Sequence, residues 1–402
     1  MFISLESLGW MAHPFLLNRF RIASEEQIRT LRQLGLASVE WEPARSVGQP
    51  LPEAPPPAEA AAEDFGAGAL EALLADKRDR ALRVREKRES LARCARLFEQ
   101  ETGSIRQILG TLGARPNEAQ TTGRALVERL VGGLVGAQSV AVHLVNLKKS
   151  ESGAPQHAMN VMVLALLIGK SIGLDEEAMK QLGLGAMLHD AGLADIPARV
   201  VRNPHRSAAE EQFYRTHIGR GLHAVAAMKN LPAAVKHVIA CHHERWDGAG
   251  YPNGLAGAKI PRLARIVAIA NRYDNLCNPL DAKTAMQPAV AVAHMYKNEG
   301  GAHDPEILGA FVKALGIYPP GTFVALADGS YGLVIESSSR DLLRPLLMLY
   351  DASVPRNEAM LLDLREAGET IAATVAPQDI PREVVEYLAP QGRVDFYIEG
   401  SA

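Results

Sequence analysis

Cysteine is scarce in this 402-residue chain, which has only Cys94, Cys241 and Cys277. Their odd number, wide spacing and lack of a CxxC pair exclude a disulfide framework, argue against a cysteine zinc site and suit a reducing cytoplasm. Charge of one sign is also absent, the formal net charge being -3. With no basic field, composition gives no reason to expect a nucleic acid polymer or an anionic membrane as partner. Any anionic ligand must then be met by a local site. Long hydrophobic runs are missing too. The most apolar interior stretch, "AMNVMVLALLIG" from Ala158 to Gly169, is shorter than the roughly 18 to 20 residues that span a bilayer. It reads as a buried helix of a soluble protein. The N-terminal "MFISLESLGWMAHPF" has neither the basic start nor the apolar run of a secretory signal. What the chain does have is 47% hydrophobic content, enough for a sizeable core, in a length suited to roughly two to three domains.

The texture changes along the chain. Residues 1–48 mix short alternating pieces with one helical piece, "SEEQIRTLRQLG", in which Ser24 is the N-cap and Gly35 the stop. This reads as a small α+β module. Residues 49–75, rich in Pro, Ala and Glu, read as a stiff linker with little to bury. From residue 76 the chain is charge-dense and helix-forming, with Leu91, Cys94 and Phe98 on one stripe, as expected of a helical connector over 76–150 with one packed face. Helical patterns continue to about residue 315. "SAAE" at 207–210 is a capping box, Asp304 is a cap before Pro305, and Pro232 and Pro261 suit first helical turns. Beyond Pro319, "GTFVALADGSYGLVIES" alternates around an "ADGS" turn, predicting a β-rich subdomain over 321–402.

The histidines carry the chemistry. His189 and Asp190 close the apolar helix "QLGLGAMLHD", and His242 and His243 close "PAAVKHVIACHHE". A carboxylate beside an imidazole at a helix end can supply one bridging and one terminal ligand to a pair of divalent ions. His157 precedes the most apolar helix, and His217 lies among small residues in "FYRTHIGRG". Taken singly, His157 and His217 read as ordinary core histidines. Taken together, these residues would leave many buried nitrogens without partners unless they ligate something. A dinuclear metal centre satisfies them at once.

His157, "HD" at 189–190, His217, "HHE" at 242–244 and "DGAGYP" at 247–252, in this order and on helices, resemble the HD-GYP family of the HD phosphohydrolase superfamily. The resemblance covers about Gln156 to Tyr318, and the start of the chain is similar to a small domain of unknown function often fused ahead of HD-GYP domains. It implies a mainly α fold: an HD-type helical bundle over 151–320 between the N-terminal α+β module and the C-terminal β-rich subdomain. It also implies a cytoplasmic bacterial phosphodiesterase acting on cyclic di-GMP or a related cyclic dinucleotide. Two divalent ions, iron or manganese in the main and zinc as the alternative, would activate the attacking water. Carried over by position, His157, His189 and Asp190 would hold one ion, and Asp190, His217, His242 and His243 the other. His189 and Asp190 would be the catalytic pair, while Tyr251, Asp247 and Gly250 would line the nucleotide pocket. The implied setting is a signalling circuit with diguanylate cyclases, and the helical stretch 77–110 offers a surface for a homodimer.

This sequence also departs from the family pattern. Leu193 stands where the family's HDxGK lysine meets the scissile phosphate, and Asn271 where an aspartate ligand is usual. An asparagine carbonyl can coordinate, though it carries no charge. Asp274, three residues later on the same helical face, either compensates for that loss or, as the favoured reading, satisfies a buried backbone group. "CNPLDAK" at 277–283 replaces a stretch with a ligand-contacting arginine, leaving Arg272 or Lys283 as substitutes. Gly153 occupies the position where some members carry a glutamate for a third metal, so two ions are the upper limit. Two readings result: a phosphodiesterase, or a catalytically degenerate module that binds a nucleotide or protein as a regulator.

Overall fold

In the computed structural model, the residues described are 1–46 and 67–401 apart from 9–12, 16–17, 23, 37, 44–45, 146–152, 339, 353, 368 and 390–392. They divide into two units, Met1–Ser90 and Leu91–Ala402. In the first, strands β1 (Phe2–Ser4) and β2 (Arg19–Arg21), helix α1 (Glu25–Gln33) and strand β3 (Glu40–Trp41) follow in order. The three strands form an antiparallel sheet in the order β2-β1-β3. Ile3, Leu5, Phe15, Phe20 and Leu31 make its core. Ser24 and Gln27 close a reciprocal capping box at the start of α1, and Gly35 takes the left-handed conformation (φ 64°) that ends it. The α+β reading of this module holds. Most of the linker expected at 49–75 lies outside the described residues. Its last part, from Ala67, is already helix α2 (Ala67–Thr111), because "AGALEALLA" is built from strong helix formers.

In the second unit α3 (Pro116–Gly132) is followed by strand β4 (Ser139–Leu144) and then by the helical bundle. The bundle helices are α4 (Ala154–Ser171), α5 (Glu176–Leu188), α6 (Ala198–Val201), α7 (Ala208–Arg215), α8 (His217–Val225), α9 (Ala233–Cys241), α10 (Arg262–Cys277), α11 (Pro288–Asn298) and α12 (Pro305–Leu315). The apolar run 158–169 forms the body of α4 and is buried throughout. Helices α5, α10 and α12 and the last strand of the chain pack around α4, so no polar face is needed. Ser207 and Asp304 cap α7 and α12. Pro232 and Pro261 stand one residue ahead of α9 and α10.

The C-terminal part adds β5 (Phe323–Leu326), β6 (Tyr331–Ser338), β7 (Asp341–Leu349), β8 (Leu361–Asp363), β9 (Ile371–Thr374), helix α13 (Arg382–Leu388) and β10 (Phe396–Ser401). The "ADGS" turn joins β5 to β6, with the Asp328 carboxylate accepting from the Ser330 amide (2.8 Å). Mainly α with a β-rich C-terminal region is therefore the fold. One difference from the sequence reading concerns residues 139–144, expected within a helical connector. They form β4, inserted between β10 and β6 in a seven-stranded sheet. In "SVAVHL", Val140, Val142 and Leu144 alternate with Ala141 and His143, and such a short segment becomes a strand when distant strands pair with it.

Candidate metal centre

The central carboxylate belongs to Asp190, at the turn between α5 and a short 3-10 helix. Its two oxygens face different imidazoles. Oδ1 lies 3.5 Å from His217 Nε2 and 3.5 Å from His242 Nε2, while Oδ2 lies 3.4 Å from His189 Nε2 and 3.7 Å from His157 Nε2. His243 joins the first set: one ligand atom each from Asp190, His217, His242 and His243 fall within 4.8 Å of one another, as do those of His157, His189 and Asp190. These separations are long for hydrogen bonds. They suit donor atoms that each approach a shared ion at about 2.0–2.2 Å.

The outer nitrogens determine which ring atom faces inward. His189, His217 and His242 each donate Nδ1–H to the carbonyl three residues back, Ala186 (2.7 Å), Tyr214 (2.8 Å) and Ile239 (3.0 Å). A carbonyl can only accept, so the proton sits on Nδ1 and the Nε2 lone pair points into the centre. His157 is held differently. Its Nδ1 meets the Asp274 carboxylate at 2.6 Å, and Asp274 also accepts from Asn160 and Asn278. The backbone-satisfying role expected of Asp274 is thus corrected: it holds three side chains, because α10 packs directly on α4. Asn160 further accepts from the Phe396 amide, tying β10 to this network. The sequence reading missed Asn160, although a single asparagine inside so apolar a run was a visible signal.

Burial shapes the charges. It would push the Asp190 carboxyl up, but His189 and His242 hold it well below the usual carboxylate range. Burial pushes His242 down to about 4 although the nearby Asp190 carboxylate pulls the other way, and it also pushes His243 down, with neighbouring His242 adding to the effect. The centre therefore holds an ionised carboxylate beside His242 and His243 in their neutral form, the protonation states that metal ligation requires. His157 goes the other way. Burial lowers it, but the bond to Asp274 prevails and raises it.

Glycines make this geometry possible. A Cβ on Gly192 would fall 2.0 Å from the His217 carbonyl oxygen and 2.4 Å from the Gly221 nitrogen, so the turn after Asp190 can rest on α8 only without a side chain. A Cβ on Gly250 would sit 2.3 Å from the Arg245 nitrogen, which places Gly250 in backbone packing. The loop around it is shaped by buried Glu244, which accepts from the Asn253 and Leu255 amides (2.8 and 2.9 Å). Tyr251 stacks on His243 with centroids 4.6 Å apart and an 18° interplanar angle, and the Arg215 guanidinium lies 4.4 Å above the tyrosine ring. Asp247 is engaged by Arg245 (2.6 Å) and the Ala249 amide (2.9 Å). Arg272 pairs with Glu299 (2.9 Å), and Asn271 is buried with its Oδ1 accepting from Asn275 (2.6 Å). Lys283 lies on an exposed 3-10 turn, and no described contact joins it to the histidines. Leu193 is half-buried beside Gly192.

Comparison with known proteins agrees with this layout. Residues 139–307 match the HD domain model and residues 1–120 match a domain of unknown function, DUF3391. The chain is 29% identical over 92% of its length to a cyclic di-GMP phosphodiesterase of Pseudomonas aeruginosa, covering 87% of that relative. This is a protein with an HD domain behind a DUF3391 domain. A cyclic di-GMP phosphodiesterase response regulator of Xanthomonas campestris is 30% identical to this chain, over 62% of the chain and 64% of the relative. A 3'3'-cGAMP-specific phosphodiesterase of Vibrio cholerae is 34% identical over 33% of the chain and 25% of the relative. No helix among the described residues of this HD-domain protein is long and apolar enough to cross a membrane.

Proposed function

We propose that this protein is a metal-dependent phosphodiesterase that hydrolyses cyclic di-GMP or a related cyclic dinucleotide. The observation carrying the proposal is the split of the Asp190 carboxylate, with one oxygen toward His217 and His242 and the other toward His157 and His189. That arrangement suits a carboxylate shared by two divalent ions, one with His157 and His189, the other with His217, His242 and His243. Imidazole and carboxylate ligands fit iron or manganese, with zinc as the alternative. When bound, such ions lower the pKa of water and neutralise charge developing on phosphate oxygens. The protein's own part is to aim the imidazoles at Asp190, to keep His242 and His243 neutral, and to present Tyr251 on its loop over His243. His189 and Asp190 form the catalytic pair in this reading. Tyr251 and its loop meet the nucleotide, and Asn271 offers a carbonyl to one of the ions. Three buried thiols and a signalling nucleotide as substrate fit a cytoplasmic setting, and the circuit with diguanylate cyclases and the homodimer along 77–110 belong to the same reading.

A second reading, a regulatory module that binds without cleaving, is favoured by one specific observation. The half-buried side chain at 193 is an apolar leucine, so no cation is supplied there, and Asn271 carries no charge. Losing one charge stabiliser of the transition state typically costs on the order of 10² to 10³ in rate. The deciding experiment assays purified protein for bound metals and for cyclic di-GMP hydrolysis with added manganese. Metal-dependent turnover lost in Asp190→Ala supports the enzyme. Nucleotide binding without turnover, together with activity appearing in the Leu193→Lys/Asn271→Asp double variant, supports the module.

A further inference from the structure

A second cluster of ligand-type side chains lies apart from the histidine centre, on the C-terminal sheet. Cys94 of α2, His143 of β4 and Glu399 of β10 each bring one ligand atom to within 4.8 Å of the others. The sheet register explains the meeting. His143 pairs with Tyr397 across β4 and β10, so Glu399, two residues on, projects from the same face as His143. On the other flank His143 pairs with Glu336 of β6. The imidazole is fully buried between the two carboxylates, with Nδ1 3.2 Å from Glu336 and Nε2 3.5 Å from Glu399. Cys94 and Glu336 are buried as well, whereas the Glu399 side chain is 48% exposed and opens the cluster to water.

We propose that Cys94, His143 and Glu399 bind one divalent transition-metal ion of the zinc type. A thiolate, an imidazole and a carboxylate are a set of three protein ligands that leaves the fourth tetrahedral position to solvent. His143 contributes Nε2, on the Glu399 side, while Nδ1 lies 3.2 Å from the Glu336 carboxylate, the place a carboxylate takes behind a ligating histidine. The absence of CxxC spacing is no obstacle, since the ligands come from a helix and two strands that only the fold brings together. Bound metal would fasten α2 to the sheet at Cys94. This site is independent of the histidine centre and of the activity proposed for it.

The test is cobalt substitution of the full-length protein, because none of His157, His189, Asp190, His217, His242 and His243 is a thiolate. Titrating metal-free protein with Co²⁺ should produce a thiolate-to-cobalt charge-transfer band in the near ultraviolet whose final amplitude corresponds to one thiolate-bound Co²⁺ per chain, Co²⁺ taken up by the histidine centre adding none. The band should survive Asp190→Ala and vanish in Cys94→Ser. Glu399→Gln alters an exposed side chain and serves if Cys94→Ser does not fold. It should weaken the Co²⁺ affinity read from this band about 10-fold or more, in the range seen when groups around a metal are removed. Absence of the band, its persistence in Cys94→Ser, or an affinity unmoved by Glu399→Gln would overturn the proposal and leave the cluster as a buried ion pair.

Discussion

The histidine centre and the sheet cluster are built from similar side chains but placed by opposite means. In the first, each ligand sits at or next to a helix end, and four of its residues fall in two adjacent pairs, His189–Asp190 and His242–His243. In the second, Cys94, His143 and Glu399 are separated by 49 and 256 positions in the chain and meet only through strand register and the packing of α2 on the sheet. Local geometry therefore announces the first, whereas the second exists only once β4 has been inserted between β6 and β10. The two are not isolated from each other. β10 carries Glu399 at one end, and near its start Asp395 and Phe396 bond Asn160, which shares Asp274 with His157.

This contrast can be tested variant by variant. Asp190→Ala removes the carboxylate common to both halves of the histidine centre, and should reduce cyclic di-GMP turnover by at least the ~10²–10³-fold that one lost charge stabiliser costs. Steady-state hydrolysis and metal analysis check it, and the cobalt–thiolate band should be untouched. Next in size is Gly192→Ala, whose new Cβ meets backbone on α8 and cannot be absorbed by a side-chain movement. It should cost about 1–3 kcal/mol or more, as forced overpacking does, whereas Gly309→Ala, where the new Cβ meets open space, should not destabilise. Thermal unfolding of both variants distinguishes a tight turn from a merely helix-breaking glycine.

Asp274→Asn keeps the volume but takes the charge from behind His157. Metal affinity at the histidine centre should drop about 10- to 100-fold, as measured by chelator competition, and unchanged affinity would show that His157 needs no carboxylate. Glu336→Gln is the matching change at the sheet cluster and should weaken cobalt there by about 10-fold. The smallest effect lies outside both. Glu299 is held at about 2, chiefly by the Arg272 hydrogen bond. Because this folded value is depressed, the contribution is present above the unfolded carboxylate range and is lost as pH falls from about 4.5 toward 2. The difference in thermal midpoint between the native protein and Glu299→Gln should narrow across that window, and a constant difference would argue against the pairing.

Most of the element types, the caps at Ser24, Ser207 and Asp304, and the convergence of the histidines could be read from the chain, because helical periodicity and capping act within a few residues. The HD and HHE pairs were legible for the same reason, since each lies within one helix end. Asp274 was seen but given the wrong partner. Its neighbours His157 and Asn160 lie more than a hundred residues away, and nothing local to α10 says that α4 will cover it. β4 was read as part of a helical stretch because six residues hold too little periodicity to choose a strand without their partners. Pairing across β4, β6 and β10, and the cluster of Cys94, His143 and Glu399 that follows from it, arise from long-range backbone hydrogen bonding, a choice made only when the whole chain condenses.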